Sequence, residues 1–181
     1  MLIDRTYFIG ELNIVNSDKP AVSSLLDHFI NKYEKELLTD VLGLTLYNAF
    51  KTGLAADPVP QKWTDLKTGV SYTDLSDKAR QWHGIITSVP NESMIANYVY
   101  FHFTGNNHTQ TSAMGEVKSS NENASIANPS LKMVRAWNEM SKQICELVHF
   151  LNSKKDVYIE WSDHDVWCML RKFRPINEFN I

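Results

Sequence analysis

Between Pro20 and Leu37 the large apolar residues Val22, Leu25, Leu26, Phe29, Tyr33 and Leu37 fall mostly three or four positions apart. That period gathers them on one stripe of an α-helix. Ser17 and Asp18 just ahead supply side-chain acceptors for unpaired first-turn amides, and Pro20 suits the first helical turn. Gly43 interrupts the stripe, Leu46, Tyr47 and Phe50 resume it, and Gly53 is placed to act as a C-terminal cap. Residues 2–15 carry scattered apolar side chains with neither period and read as an extended N-terminal arm.

Pro58 and Pro60 mark a loop, after which "QKWTDLKTG" predicts a short helix carrying Trp63 and Leu66. Tyr72 and Trp82 flank a polar turn, the pattern of a small β-hairpin. From Asn91 to Gly105, Met94, Ile95, Tyr98, Val99, Phe101 and His102 cover most of a helix circumference, which predicts a central, buried helix. A long polar connection follows, residues 106–128. Asn128 and Pro129 then start the clearest helix, with Met133, Trp137, Met140, Ile144, Leu147 and Leu151 in a sustained seam and an end expected between Asn152 and Lys155. Val157, Ile159 and Trp161 alternate as in a short strand, and Val166, Trp167, Leu170 and Phe173 return to helical spacing before Pro175.

The pattern therefore predicts a mainly α protein: a compact helical bundle with a small β-hairpin, a long polar arm and an extended C-terminal tail. Its expected organisation is a helical domain over 1–155, with the bundle at 16–155 and the polar arm at 106–128, followed by an aromatic C-terminal arm over 156–181. A chain of 181 residues, 43% hydrophobic and 22% charged, has ordinary globular composition and enough length for a real core.

Charge narrows the function classes. A net charge of −3 argues against a grip on nucleic acid, which needs a basic face. Cys145 and Cys168 make no disulfide framework and fit a reducing compartment. Asp4, Arg5 and Glu11 interrupt the N-terminus, so it does not read as a signal peptide, and no window approaches the ~18 apolar residues of a membrane span.

Candidate chemistry is sparse. Asp163-His164-Asp165 offers oxygen and imidazole ligands for a metal. A helix start explains the same residues better: Ser162 as N-cap, acids in the first turn, and Arg171 and Lys172 in the last, each matched to the helix dipole. His102 and His108 lie on different sides of Gly105, so no helical spacing joins them. Cys145 with His149, four residues on, has the spacing of a nucleophile and base, but its position beside the apolar seam predicts a buried, inert thiol. The basic run Arg171, Lys172 and Arg174 reads as a helix end rather than a phosphate site. Phosphate-loop, dinucleotide, zinc-protease and nucleophile-elbow motifs are absent from the sequence.

Several segments taken together resemble the head–tail connector (adaptor, or head-completion) proteins of tailed bacteriophages. They are "YFIGELNI", "FINKYEKELLTDVLGLTLYNAF", "KWTDLKTGVSY", "ESMIANYVYFHF", "MGEVKSSNENAS" and "VRAWNEM", in this order from Tyr7 to Leu151. The resemblance implies a compact helical bundle forming a ring, dodecameric in the family, on the portal vertex of a capsid. It implies the portal protein and tail or neck proteins as partners, a conduit through which DNA passes without specific binding, no enzyme activity and no cofactor. The location it implies is the virion neck, with assembly in the host cytoplasm. Other neck or tail-completion proteins are the near alternative. A small helical metal- or ligand-binding enzyme using His102, His164 or Cys145 is the distant one.

Candidate interface residues follow. Val117 and Ile126 are the large aliphatics of the polar arm, which as a long unstructured segment could reach a neighbour through backbone hydrogen bonds. Tyr158, Ile159, Trp161, Trp167, Phe173 and Phe179 of the tail are costly to leave in water and typical of interface anchors, the alternative being that they pack back on their own bundle.

Overall fold

The computed structural model of the protein describes residues 1–87, 92–107, 110–112, 115–117, 130–161 and 165–176. Helix α1 runs from Pro20 to Leu54 and is broken at Gly43, whose φ of 74° and ψ of 156° lie outside the helical region. The expected break is therefore real, and it swings the two limbs of α1 around the core. Leu26, Ile30, Leu37, Val41, Leu42 and Leu46 are fully buried. Leu25, placed on the apolar stripe by spacing, is exposed.

Two terminal assignments change. Lys19 is the N-cap and no side chain caps α1, so Ser17 and Asp18 do not serve that role. Gly53 lies inside the last turn, and Ala55 is the C-cap, donating its N–H to the Thr52 and Gly53 carbonyls. Gly53 is needed for space instead: a Cβ there would stand 1.8 Å from Trp63 Nε1. The indole of the next helix occupies the room a side chain would take.

The N-terminal residues do not form an extended arm. They fold into two 3₁₀ turns, Arg5–Tyr7 and Gly10–Leu12. Ile3, Tyr7, Phe8 and Ile14 enter the core. Turns bring such irregularly spaced side chains to one side, which no single helix or strand period does. Glu34 anchors the start of the chain, its Oε2 accepting from Leu2 N–H at 2.8 Å.

Helix α2 (Gln61–Thr68) buries Trp63 and Leu66 as expected. Strands β1 (Val70–Thr73) and β2 (Ala79–Trp82) form the antiparallel hairpin, with Val70 opposite Trp82 and Thr73 opposite Ala79. Asp74 closes its turn, accepting from Ser76 N–H at 2.8 Å, Lys78 N–H at 3.0 Å and Arg80 Nε at 2.9 Å. These bonds, the one from Arg80 foremost, hold its carboxyl down at about 2. At the base of the hairpin Trp82 donates to the Leu66 carbonyl at 3.0 Å and stacks on Phe150 of α4.

Helix α3 (Met94–Asn107) is buried at every position from Met94 to Tyr100, the central helix that its all-round apolar character predicts. It continues through Gly105 rather than ending there. A Cβ at Gly105 would meet Met133 Cε at 3.2 Å, so this glycine admits the close approach of α4. Part of the polar connection is ordered as a second small hairpin, β3 (Gln110–Ser112) paired with β4 (Gly115–Val117). Residues 118–129 of the polar arm, with Ile126 and the expected helix start at Asn128 and Pro129, lie outside the described residues.

Helix α4 (Ser130–Ser153) ends in the expected window and buries Met140, Ile144, Leu147 and Leu151 completely, with Met133 and Trp137 half-buried. Its successor is not a strand. Ile159–Trp161 is a 3₁₀ turn, led in by Tyr158 N–H bonding to the Lys154 carbonyl at 2.9 Å. Tyr158 and Trp161 turn into the core: Tyr158 OH donates to the Lys62 carbonyl at 2.7 Å, and Trp161 Nε1 to Asn152 Oδ1 at 3.1 Å. Helix α5 (Val166–Lys172) is capped by Asp165, which accepts from Cys168 N–H at 2.9 Å. Ser162, the cap expected from sequence, is outside the described residues. Among those residues no helix is long and apolar enough to cross a membrane.

The fold is thus mainly α with small β-hairpins, and Tyr158, Trp161, Met169 and Phe173, expected in a separate arm, are buried in the same core. Two stability outcomes follow. A chain ending at Lys155 loses Tyr158, Trp161 and Phe173, each buried to within 2%. Aromatic truncations in cores cost ~3–5 kcal/mol each, against a total stability of about 5–15 kcal/mol. The truncated chain should therefore show no cooperative denaturant transition, and a midpoint equal to the full chain's would disprove this packing. Gly53→Ala should lower stability by ~1–3 kcal/mol through overpacking against Trp63, read as a shift in the same midpoint.

Candidate functional site

His102 is half-buried among aromatic rings. Its ring stacks on Tyr33 of α1, with centroids 4.2 Å apart and planes 5° apart, and meets the edge of Tyr98 at 4.5 Å. Nε2 is buried and has no hydrogen-bond partner. The nearest carboxylate, Glu36, accepts from Tyr98 OH at 2.8 Å. Burial pushes the imidazole below its ordinary range, Glu36 pulls it back up, and Lys32 and Lys172 push it down. Burial and the Glu36 carboxylate push the Tyr98 phenol well up. The result is an imidazole held towards its neutral form in an aromatic box.

Of the remaining polar candidates, His108, Asp163 and His164 lie outside the described residues, and Asp165 is occupied in capping α5. Among the described residues no three His, Cys, Asp or Glu side chains are grouped to hold a metal ion. Cys145 is exposed, not buried as its place beside the seam suggested. Desolvation and the neighbouring Glu146 nevertheless push its thiol up, which disfavours the thiolate a nucleophile needs. Among the described residues no hydrogen bond joins it to His149. The basic run is also committed in part: Lys172 pairs with Asp40 and lies over the Phe173 ring.

A shallow groove of about 310 Å³ lies between the N-terminal turns and α3. Ile14, Val15, Phe103 and Tyr100 line it together with Asn13, Thr104 and Asn107. No carboxylate, imidazole, amine or thiol lines it.

The proposed interface residues separate into two groups. Tyr158, Trp161 and Phe173 fill this chain's own core and do not project. Ile159 and Trp167 stand in solvent, 67% and 74% exposed. Val117 lies in β4, and Ile126 and Phe179 fall outside the described residues. Two exposed residues that spacing did not single out join the outward group: Leu75 at the hairpin turn, 82% exposed, and Leu44 just past the Gly43 break, 64% exposed. Each carries a readable signal, Leu75 as the one aliphatic in "TDLSDK" and Leu44 as an apolar residue beside a helix break.

The neutral state of His102 has a pH consequence. A histidine whose folded value lies below the ordinary 6.5 contributes stability above that value and loses it as pH falls. The thermal midpoint should fall from about pH 7 to about pH 5, and His102→Phe, which keeps the ring but cannot charge, should flatten that fall. Superimposable pH profiles for the two proteins would contradict this role. No family model, curated protein or solved structure matches the chain.

Proposed function

We propose that this protein is a structural head–tail connector of a tailed bacteriophage, assembling as a ring between portal and tail around the path of the DNA. The sequence blocks from Tyr7 to Leu151 motivate the family. The observation that carries the reading is the placement of chemistry and apolar surface. The His102 ring is stacked on Tyr33 and the Glu36 carboxylate accepts from Tyr98 OH, whereas Leu44, Leu75, Ile159 and Trp167 stand in water on separate elements. A closed ring has a heterologous interface, so each subunit presents two different patches that meet on neighbours. Exposed large side chains on different elements are material for such patches, and single buried anchors contribute most of the energy of such contacts.

The charge agrees with a conduit. A net charge of −3 per subunit, repeated around a ring, opposes the counterion-releasing phosphate contacts that hold DNA tightly. The portal would meet one face and a tail or neck protein the other, in the virion and during assembly in the host cytoplasm. A tail-completion role on the same neck is the alternative within this class. A metal enzyme is the alternative outside it, and stoichiometric zinc in the purified protein would favour it.

Mass per particle, measured alone and with the portal protein of the same genome, tests the assembly. The full chain should join a ring-sized particle. The double variant Ile159→Asp with Trp167→Asp should unfold within ~0.5 kcal/mol of the parent, as exposed substitutions do, yet incorporate poorly. Normal incorporation would remove these residues from the interface, and a full chain that associates with neither portal nor tail would overturn the connector reading.

A further inference from the structure

Positive charge is not spread evenly over the surface. The chain has five arginines. Arg5 and Arg80 are ion-paired, to Asp27 at 3.3 Å and to Asp74 at 2.9 Å. Arg135, Arg171 and Arg174 are exposed, and none of them has an ion pair among the described residues. Contacts to the main chain bring these three to one corner. Trp137 Nε1 donates to the Arg174 carbonyl at 2.9 Å, and Asn138 bonds the carbonyl and the N–H of Ile176 at 2.9 and 2.7 Å. Arg135 precedes Asn138 by three positions on α4, the spacing of neighbours on a helix face. Arg171 lies in the last turn of α5, just ahead of Arg174.

Helix stability does not explain this grouping. Basic residues suit the end of α5, but Lys172 there is paired with Asp40, and Arg174 lies beyond the C-cap Phe173. Lys132 and Arg135 stand near the start of α4, where the helix dipole favours acids and the first turn has none. The carboxylates on the adjoining turns are engaged: Asp40 with Lys172, Asp165 with the Cys168 N–H, and Glu139 with Lys142. Trp167 adds an apolar anchor. It is 74% exposed and precedes Arg171 by four positions, so the two share one face of α5. Tryptophan and arginine are the side chains that most often anchor protein interfaces, and a guanidinium holds a carboxylate through two parallel N–H···O bonds.

We propose that Trp167, Arg171, Arg174 and Arg135 form a docking surface for an acidic segment of a protein partner. Single-stranded nucleic acid, the other polyanion, is held in a basic groove that follows its backbone. The groove between the N-terminal turns and α3 is lined by no amine or guanidinium, and the net charge of −3 opposes a long polyanion more than a short acidic segment. The proposal gives the chemistry of one partner in the connector reading and rests on that reading only for which protein supplies the segment.

Two measurements on the full chain test it. Trp63, Trp82 and Trp161 are buried and Trp137 is half-buried, so Trp167 dominates fluorescence quenching by ions. At low salt, iodide should quench more than caesium, each relative to N-acetyltryptophanamide, because a basic surface gathers anions. Equal or reversed ratios overturn the proposal. A fluorescein-labelled peptide of repeated Glu-Glu-Leu is then titrated by anisotropy in rising salt. It should bind, weaken as salt rises, and lose about tenfold in affinity for Arg171→Glu with Arg174→Glu. Lys51→Glu with Lys78→Glu, the same change of charge elsewhere on the surface, should lose less than about twofold. A peptide that does not bind, or an equal loss in the two variants, overturns the proposal. Tighter binding of a thymine oligonucleotide overturns it too and assigns the corner to nucleic acid. If the first variant shifts the denaturant midpoint, Trp167→Ala takes its place, with a loss of peptide affinity again expected and an unchanged affinity overturning the proposal. The ring is read separately from mass per particle, so failure of the peptide leaves the connector reading standing, and absence of a ring leaves the peptide result standing.

Discussion

A helix buried at every position from Met94 to Tyr100 cannot lie on a surface, and covering it on all sides organises the molecule. Helix α1 takes one side, α4 a second, and the N-terminal turns a third. Gly105 lets α4 come close, and the break at Gly43 lets α1 follow the core instead of running past it. The polar tips on α3 are answered by these coverings: Tyr98 OH by Glu36 of α1, and Asn97 Nδ2 by Gln143 of α4 at 3.4 Å. A buried polar group left unmade would cost more than a made bond contributes, so these tips also set how the covering helices are placed.

Two aromatic clusters finish the covering. Tyr33, Tyr98, His102, Trp137 and Phe173 make contacts near the middle of α3. Phe50, Trp63, Tyr158, Phe150 and Trp82 join α1, α2, the first hairpin and α4. The C-terminal segment contributes a residue to each cluster, Phe173 and Tyr158. That double role explains why it is integral to the fold. It also explains how its remaining residues, Ile159 and Trp167, are held outward at defined places.

The same packing bears on function. His102 keeps Nε2 without a hydrogen-bond partner, and desolvation with the neighbouring Glu146 pushes the Cys145 thiol away from its anion. Leu44, Leu75, Ile159 and Trp167 stand in water at the Gly43 break, the hairpin turn, the 3₁₀ turn and α5.

Periodicity alone determined the mainly α class, the buried character of α3, the seam of α4 and the first hairpin, because these depend on which side chains recur on one face. It also located the break at Gly43, since glycine in a helical pattern is a local signal. Local signals did not decide which glycine served space and which served a turn. Gly53 and Gly105 are glycines because Trp63 and Met133 approach them from other elements, and no neighbour in sequence reports that. Nor did spacing decide the fate of the chain ends. An aromatic residue has the same cost in water whether a partner molecule or its own bundle covers it. Only the tertiary structure put Tyr158, Trp161 and Phe173 inside and left Ile159 and Trp167 out, because turns, unlike helices or strands, take their direction from the surfaces they dock against.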